Sequence, residues 1–377
     1  MRIEDLATPC LLVDKARFDA NLARMRTRVT ALGATLRLHV KTTKSVEAAR
    51  AAFAPDAVGP IMVSTLAEAR HFFDNGFRDL IYGVGVAPRK LDTAADLIEA
   101  GAQLNLLLDS EVVAHAVAEC GRRRGLTLPA FIEVDTDGHR SGIAPADPRL
   151  LTIGKILQRD KGAALAGVLT HAGESYNSTS VDGIRAIAAQ EHRGIVAAAT
   201  ALRSAGLDCP AVSLGSTPTA LFAERLDGVT EVRAGVYVFQ DLVMAGLGVC
   251  KTSDIALSVL ATVIGHQQTR NWIICDAGWM ALSRDRGTQK QRVDQGYGVV
   301  LDVNGDIVED LIVSGANQEH GIITTRDGGA VNLDRWPIGT MLRVLPNHAC
   351  ATAAQHAFYH VVEGSSVVAQ WSRIVGW

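Results

Sequence analysis

Short apolar runs alternate with segments of helical periodicity through most of the chain. Eight of the runs predict strands, at residues 36–41, 60–65, 79–85, 103–109, 130–135, 165–171, 211–215 and 231–239. Because these runs are apolar at successive positions, the strands are expected to be buried on both faces, as in a parallel sheet covered by helices. The alternation predicts a (β/α)₈ TIM barrel. An open doubly wound sheet would carry G-x-G-x-x-G after its first strand, and the sequence has no such motif there.

Helices are predicted between these strands from apolar positions spaced three and four residues apart. They cover residues 17–32, 67–75, 91–100, 111–125, 150–159 and 182–205, and another begins near Ser45. From about Cys250 onward the helical periodicity ends. Strand-like runs at 255–265, 272–276, 299–303, 311–314, 341–345 and 367–371 are separated by Gly, Asn and Asp turns. We therefore expect a barrel at residues 12–248 and a β domain at 249–377, joined by the N-terminal strand segment 1–11.

Composition limits the possible partners. The chain has 377 residues, 48% of them hydrophobic, and a formal net charge of -3, so no strong field attracts nucleic acid or an anionic membrane. No apolar run approaches the roughly 20 residues that a membrane-spanning helix needs. Six cysteines are scattered without C-x-x-C spacing, as expected for reduced thiols in a cytoplasmic protein.

Lys41 is the first candidate for catalysis. It follows the first predicted strand, and the carboxyl ends of barrel strands form the catalytic face. A partly desolvated lysine suits a Schiff base, although a surface lysine just past a strand is the simpler alternative. Lys44 is the nearest rival, but it lies farther beyond the strand.

A phosphate site is predicted at residues 213–219, after the seventh strand. Gly215 allows a tight turn, Thr217 can cap a helix, and Pro218 suits the first helical position. The exposed N–H groups of such a turn attract phosphate, and Gly235 after the eighth strand can add a backbone donor. The alternative is a plain capped loop.

Three further sites could carry chemistry. His171 ends the sixth strand and could act as a base, a ligand or a stacking partner, or simply line the barrel mouth, while the polar turn at 133–140 suggests a hydrogen-bonded network. In the β domain, His348 and Cys350 stand two apart and would share one face of an extended segment. Imidazole and thiolate suit Zn²⁺, with Glu319 and His320 as candidate supporting residues; core packing is the alternative.

Taken together, these motifs resemble one enzyme family. The lysine after the first strand, T-H-A-G at 170–173, G-S-T-P-T at 215–219, R-A-G-V-Y at 233–237 and N-H-A-C-A-T at 347–352 resemble fold-type III pyridoxal phosphate enzymes with an alanine racemase-like barrel. Within them, the chain is similar to the D-serine dehydratase and D-threonine aldolase group. The resemblance extends from Thr8 to Trp377.

The resemblance implies roles for individual residues. Lys41 would form the Schiff base with pyridoxal 5'-phosphate. The other implied cofactor-binding residues are Ser216, Thr217 and Gly235 at the phosphate, His171 beside the ring, Arg233 at the pyridine nitrogen, and Arg140, Tyr176 and Tyr237. His348 and Cys350 would bind a divalent metal, Zn²⁺ or Mn²⁺. The aldolases carry aspartate at the second metal position, so Cys350 favours dehydration.

The resemblance implies elimination of water from a D-3-hydroxy amino acid, giving a 2-oxo acid and ammonia. D-Serine, D-threonine and D-3-hydroxyaspartate stay open as substrates, and Arg140, Arg284 and Arg286 are candidates to bind a second carboxylate. Retro-aldol cleavage to glycine and an aldehyde is the first alternative, and a non-catalytic pyridoxal phosphate-binding protein is the second. A metal-dependent barrel hydrolase would prefer H-x-H where this chain has His39-Val40-Lys41. The family also implies a homodimer, with the β domain covering the partner's barrel mouth.

Overall fold

The computed structural model describes residues 1–53 and 58–377, which form two compact units. One unit comprises Arg24–Gly235 with Gly376–Trp377, and the other comprises Met1–Ala23 with Val236–Val375. Strands are numbered β1–β17 and helices α1–α11 in chain order. The division into a barrel domain at 12–248 and a β domain at 249–377 remains a prediction.

The first unit contains a closed barrel of eight parallel strands, which confirms the predicted fold class. Each predicted strand overlaps one that is observed. The strands are β2 (Thr35–His39), β3 (Ile61–Val63), β4 (Asp79–Tyr82), β5 (Gln103–Leu108), β6 (Leu128–Val134), β7 (Ala163–Thr170), β8 (Ala211–Leu214) and β9 (Glu231–Ala234). Pairing of β2 with β9 closes the barrel.

Helices connect successive barrel strands, and several begin where a Ser or Thr side chain accepts a backbone N–H. They are α2 (Val46–Ala51), α3 (Leu66–Asp74), α4 (Leu91–Glu99), α5 (Glu111–Arg124), α6 (Arg149–Arg159), α7 (Val181–Ser204) and α8 (Thr217–Phe222), while α1 (Lys15–Ala31) precedes β2. The predicted helices agree with these bounds within about two residues.

Some predicted strands run too far at their carboxyl ends. The first ends at His39 rather than residue 41, and the eighth ends at Ala234 rather than residue 239. Val40, and the short 3₁₀ helix Val236–Val238, are buried and apolar, so they continue the apolar run although the backbone has already turned. The residues of chemical interest therefore lie in turns just past the strands.

The barrel interior holds both an apolar cluster and buried charge. Arg37 on β2 is 5% exposed and donates from Nε to both carboxylate oxygens of Glu231 on β9, at 3.0 and 2.9 Å. Its Nη1 also donates to Asp79 at 2.8 Å. Because a buried guanidinium without a partner is costly, these carboxylates are what allow Arg37 to lie inside the barrel.

The second unit is built on a nine-stranded sheet with the order β11-β14-β13-β12-β15-β10-β1-β16-β17. Its strands are β1 (Cys10–Asp14), β10 (Leu257–Gln267), β11 (Trp272–Cys275), β12 (Val299–Asp302), β13 (Ile307–Ala316), β14 (Gly321–Thr325), β15 (Met341–Leu345), β16 (Phe358–Glu363) and β17 (Ser366–Ser372). The N-terminal strand β1 lies between β10 and β16, as the sequence suggested.

Several elements of this unit were not predicted. They are the strands β14 and β16 and the short helices α9 (Leu242–Gly246), α10 (Trp279–Leu282) and α11 (Ala349–Ala353). Short elements of this kind depend on distant partners for their stability, so local periodicity identifies them poorly. Among the residues that the structure describes, no helix combines the length and apolar character needed to cross a bilayer.

Candidate active site

Two lysines follow β2, and their environments differ. Lys41 is exposed in the turn at 40–43, and among the described residues its side chain forms no ion pair. Lys44 has a positive φ of 48° and pairs with the buried Glu68 at 3.1 Å. Glu68 also accepts the N–H of Ser64 at 2.7 Å. Lys44 is therefore held in a structural ion pair, whereas Lys41 is available to react.

His39 lies beside Lys41 and was not predicted as a site residue. Its Nδ1–H donates to the carbonyl of Met62 at 3.0 Å. Burial holds the pKa of His39 well below its usual range, and the charges of Lys41, Arg233 and His171 lower it further. The imidazole is therefore neutral, with Nε2 unprotonated.

His171 follows β7 and is also neutral. Its Nδ1–H donates to the carbonyl of Gly215 at 3.0 Å. Burial lowers the pKa of His171 to about 3; the Gly215 bond opposes this shift, and Arg140 and Lys41 add to it. The Tyr176 ring lies 6.1 Å away, centroid to centroid, at 43°. His171 thus presents a neutral face and an unprotonated Nε2.

The loop after β8 has the predicted form with one correction. Ser216, not Thr217, caps α8, because its Oγ accepts the N–H of Thr219 at 3.2 Å and the helix already begins at Thr217. The Ser216 N–H in turn donates to Thr219 Oγ1 at 3.0 Å. Pro218 is the second residue of the helix and not the first as predicted, because the cap lies one residue earlier.

Two glycines allow the loops after β8 and β9 to approach their neighbours closely. Gly215 has φ +133°, and a Cβ there would lie 2.4 Å from the carbonyl oxygen of Arg233. A Cβ at Gly235 would lie 2.9 Å from both the His39 carbonyl oxygen and Thr42 Oγ1. Side chains are therefore excluded where the loops after β8 and β9 converge with the end of β2, and backbone groups remain.

Arg233 is buried on β9, with 3% of its surface exposed. It donates from Nη1 to Ser213 Oγ at 2.7 Å and from Nη2 to the carbonyl of Thr170. Burial lowers its pKa to about 10, and Glu231 and Glu191 limit the fall. Arg233 therefore remains protonated at neutral pH.

The polar turn after β6 forms the predicted hydrogen-bonded network. Asp135 Oδ1 accepts the N–H groups of Asp137 and Gly138 at 3.1 and 2.7 Å, and His139 bonds to Glu174 at 2.8 Å. Arg140 is exposed at the end of this turn. Its charge lowers the pKa of His171, so it lies within electrostatic range of that ring.

The barrel unit thus gathers most of the predicted cofactor residues at the carboxyl ends of its strands. These are Lys41, Arg140, His171, Tyr176, Ser216, Thr217, Arg233 and Gly235. Tyr237 belongs to the other unit, where it is buried in the 3₁₀ helix that follows β9.

His348 and Cys350 lie in the second unit, but the segment is not extended as predicted. His348 is the N-cap of α11, with φ -132° and ψ 105°, and Cys350 lies in the first turn of that helix. Alanine has the highest helix propensity, and the alanines at 349, 351 and 353 explain the difference. The two side chains nevertheless lie within electrostatic range, because Cys350 raises the pKa of His348.

Carboxylates support this pair, and the sequence did not reveal them. His348 Nδ1 bonds to Asp285 Oδ2 at 2.6 Å. The buried Asp241 accepts the N–H of Ala349 at 2.9 Å. Burial alone would lower the pKa of His348, but Cys350, Asp285 and Asp241 together raise it to about 11. The predicted supporting residues at 319 and 320 are exposed instead.

Comparisons with known proteins agree with this architecture. A family model of the alanine racemase N-terminal domain matches residues 13–242, and a model of a serine dehydratase domain matches residues 256–362. The chain belongs to the D-serine dehydratase family. It is 53% identical over 375 residues to D-threo-3-hydroxyaspartate dehydratase of Delftia sp. strain HT23, covering 99% of this chain and 98% of that protein.

Other relatives extend the comparison. D-Serine dehydratase of Dictyostelium discoideum is 31% identical, covering 97% of this chain and 96% of that protein. A metal-free structure of a cysteine-to-alanine variant of D-threo-3-hydroxyaspartate dehydratase superposes with a TM-score of 0.98, at 52% identity and with both chains fully covered. The similarity to dehydratases thus covers both units of this family member.

The low pKa of His171 predicts a pH dependence of stability. The unfolded chain binds a proton at His171 below about pH 6.5, whereas the folded protein resists it down to about 3. The free energy of unfolding should therefore fall as the pH is lowered through this interval, and His171→Asn should remove about 2 kcal/mol of that fall between pH 6.5 and 4.5.

Urea unfolding at a series of pH values measures this difference. His115→Asn is the matched control, because His115 is exposed on α5, and its profile should follow that of the wild type. Parallel profiles for the wild type and His171→Asn would show that His171 is not held neutral.

Proposed function

We propose that this protein is a pyridoxal phosphate- and metal-dependent dehydratase. It would eliminate water from D-threo-3-hydroxyaspartate and release a 2-oxo acid and ammonia. The observation that carries the proposal is the full-length similarity to the Delftia dehydratase. D-Serine is the second candidate substrate, because the Dictyostelium relative named for it also matches nearly the whole chain.

The barrel residues fit the cofactor chemically. Lys41 would hold it covalently, and Ser216, Thr217 and Gly235 would hold its phosphate. Support comes from the two glycine positions where a Cβ is excluded, so that the loops after β8 and β9 can lie close to the end of β2. Lys41, Arg233 and Arg140 add positive charge, which favours a phosphate and a carboxylate substrate.

The protonation states of these residues define their roles. When bound, pyridoxal phosphate withdraws electrons from the α-carbon of an amino acid. The Lys41 amine would remove the proton from that carbon. Arg233, protonated, would donate to the ring nitrogen rather than accept a proton from it. Neutral His171 would lie beside the ring without adding a further charge.

The second unit fits a divalent cation. Asp285 occupies Nδ1 of His348, which orients Nε2 for a ligand, and Cys350 would supply a thiolate to the metal. The acidic neighbours that favour a proton on His348 would equally favour a cation. Zn²⁺ suits this pair, with Mn²⁺ as the alternative. The metal would act as a Lewis acid on the substrate 3-hydroxyl.

Further metal ligands are not expected from the protein. Within residues 1–53 and 58–377, no group of three or more His, Cys, Asp and Glu side chains is arranged to hold a metal ion. A metal bound by His348 and Cys350 would therefore keep positions open for water and substrate, as catalytic sites require.

Assembly and location complete the proposal. We infer a homodimer with the active site near the interface, which light scattering would test. A cytoplasmic location is supported by the cysteines, since none of the six forms a disulfide in the described structure.

Product analysis tests the reaction directly. Purified protein with pyridoxal phosphate and Zn²⁺ or Mn²⁺ should convert D-threo-3-hydroxyaspartate to equal amounts of ammonia and 2-oxo acid, with D-serine and D-threonine assayed beside it. Glycine with an aldehyde product would identify an aldolase. Cofactor binding without any product would identify a non-catalytic binding protein.

Removal of the carboxylate behind His348 should weaken the metal site. Asp285→Asn is expected to lower Zn²⁺ affinity by about 10- to 100-fold, because the imidazole loses its orienting partner. Competition with a chromophoric chelator measures this affinity independently of turnover. Asp306→Asn, in an exposed turn of the same unit, is the control. Equal affinities for both variants would rule out His348 as a ligand supported by Asp285.

A further inference from the structure

A buried carboxylate that the proposed mechanism does not use lies behind the predicted phosphate loop. Glu191 is in the middle of α7 and is 1% exposed. Its Oε1 accepts the backbone N–H groups of Ala172 and Gly215, both at 3.0 Å. A single oxygen atom thus joins the loop after β7 to the loop after β8.

The loop after β7 carries His171, which directly precedes the bonded amide of Ala172. The loop after β8 carries Ser216, which directly follows the bonded amide of Gly215. Both backbone polar groups of Gly215 are hydrogen-bonded: its N–H donates to Glu191, and its carbonyl accepts from His171 Nδ1. Displacement of Gly215 would therefore disturb both the orientation of His171 and the position of Ser216.

Hydroxyl groups connect the same two loops by a second route. Thr219, in the first turn of α8, favours the charged form of Glu191 and so limits the rise of its pKa. Ser216 Oγ lies 3.0 Å from Thr219 Oγ1 and 2.9 Å from Ser175 Oγ. Ser175 donates to the carbonyl of Ala172 at 2.7 Å. These contacts join the loop after β8 to the loop after β7 a second time.

The Ser175 hydroxyl is committed to the Ala172 carbonyl, so the Ser216 hydroxyl is the donor in the contact between Ser175 and Ser216. Ser216 is thereby tied to the loop after β7. Burial raises the pKa of Glu191, but Thr219, the two amides and Arg233 favour its charged form.

We propose that Glu191 is a positioning residue that holds the loops after β7 and β8 together and thereby fixes the position of Ser216 for the cofactor phosphate. The inference rests on the proposed function, since it concerns the phosphate of pyridoxal phosphate. A purely structural Glu191 would stabilise α7 without distinguishing a phosphorylated ligand from an unphosphorylated one.

The test compares pyridoxal phosphate with pyridoxal, which lacks only the phosphate. Dissociation constants of both are measured on the cofactor-free full-length protein by tryptophan fluorescence. Glu191→Met keeps the side-chain volume but removes the acceptor, so the wild-type preference for the phosphorylated compound should shrink by at least about tenfold. Glu191→Gln keeps an acceptor oxygen and should stay within about threefold of the wild type.

His192→Ala is the matched control. His192 is the next residue of α7 and is buried, but it bonds to the carbonyl of Asp227 at 2.9 Å instead. The preference of the His192→Ala variant for pyridoxal phosphate over pyridoxal should equal that of the wild type. Should Glu191→Met fail to fold, Thr219→Val takes its place, because it removes the hydroxyl between Glu191 and Ser216, and the same loss is expected.

The outcomes distinguish the positioning role of Glu191 from the proposed phosphate site. An unchanged preference in Glu191→Met, or equal losses of affinity for both compounds, would overturn the positioning role while leaving the proposed function intact. A wild-type protein that does not prefer the phosphorylated compound would overturn the proposed phosphate site itself.

Discussion

Closure of the eight parallel strands is the constraint on which the barrel site depends. Pairing of β2 with β9 brings the residues that follow the first and last strands to the same rim, although they are far apart in the chain. Basic groups such as Lys41, His39 and Arg233 then lie close together. Burial and the repulsion between positive charges both disfavour the protonated forms of His39 and Arg233. Buried carboxylates offset this cost: Glu191 and Glu231 both help to keep Arg233 protonated.

The same arrangement occurs within each of the two units. Residues suited to bind a ligand lie on turns, and a carboxylate from another segment fixes their orientation. In the barrel unit Glu191 bonds to the backbone beside His171 and Ser216. In the other unit Asp285 bonds to His348, and Asp241 bonds to the backbone of α11. Such supporting groups decide whether a ligand residue is held in a usable geometry.

The sequence predicts the barrel well because its strands are buried on both faces and its helices are long and capped. It predicts Lys41 and Ser216 as rim residues from their position after strands, and the family resemblance adds Arg233. Glu191 is missed because it stands among polar neighbours in the run Gln190-Glu191-His192-Arg193, which is typical of an exposed helix face. Its burial follows from the packing of α7 on β7 and β8, which no local pattern records. The helix that contains Cys350 is missed because the H-x-C spacing places both side chains on one face only if the segment is extended.

The central claim is that Lys41, and not Lys44, reacts with the cofactor. Borohydride reduction of the protein loaded with pyridoxal phosphate, followed by peptide mapping with mass spectrometry, tests this claim most directly. Lys44 is held by Glu68, so we expect a pyridoxyl group on Lys41 and an unmodified Lys44. A label on Lys44, or no covalent label at all, would contradict it.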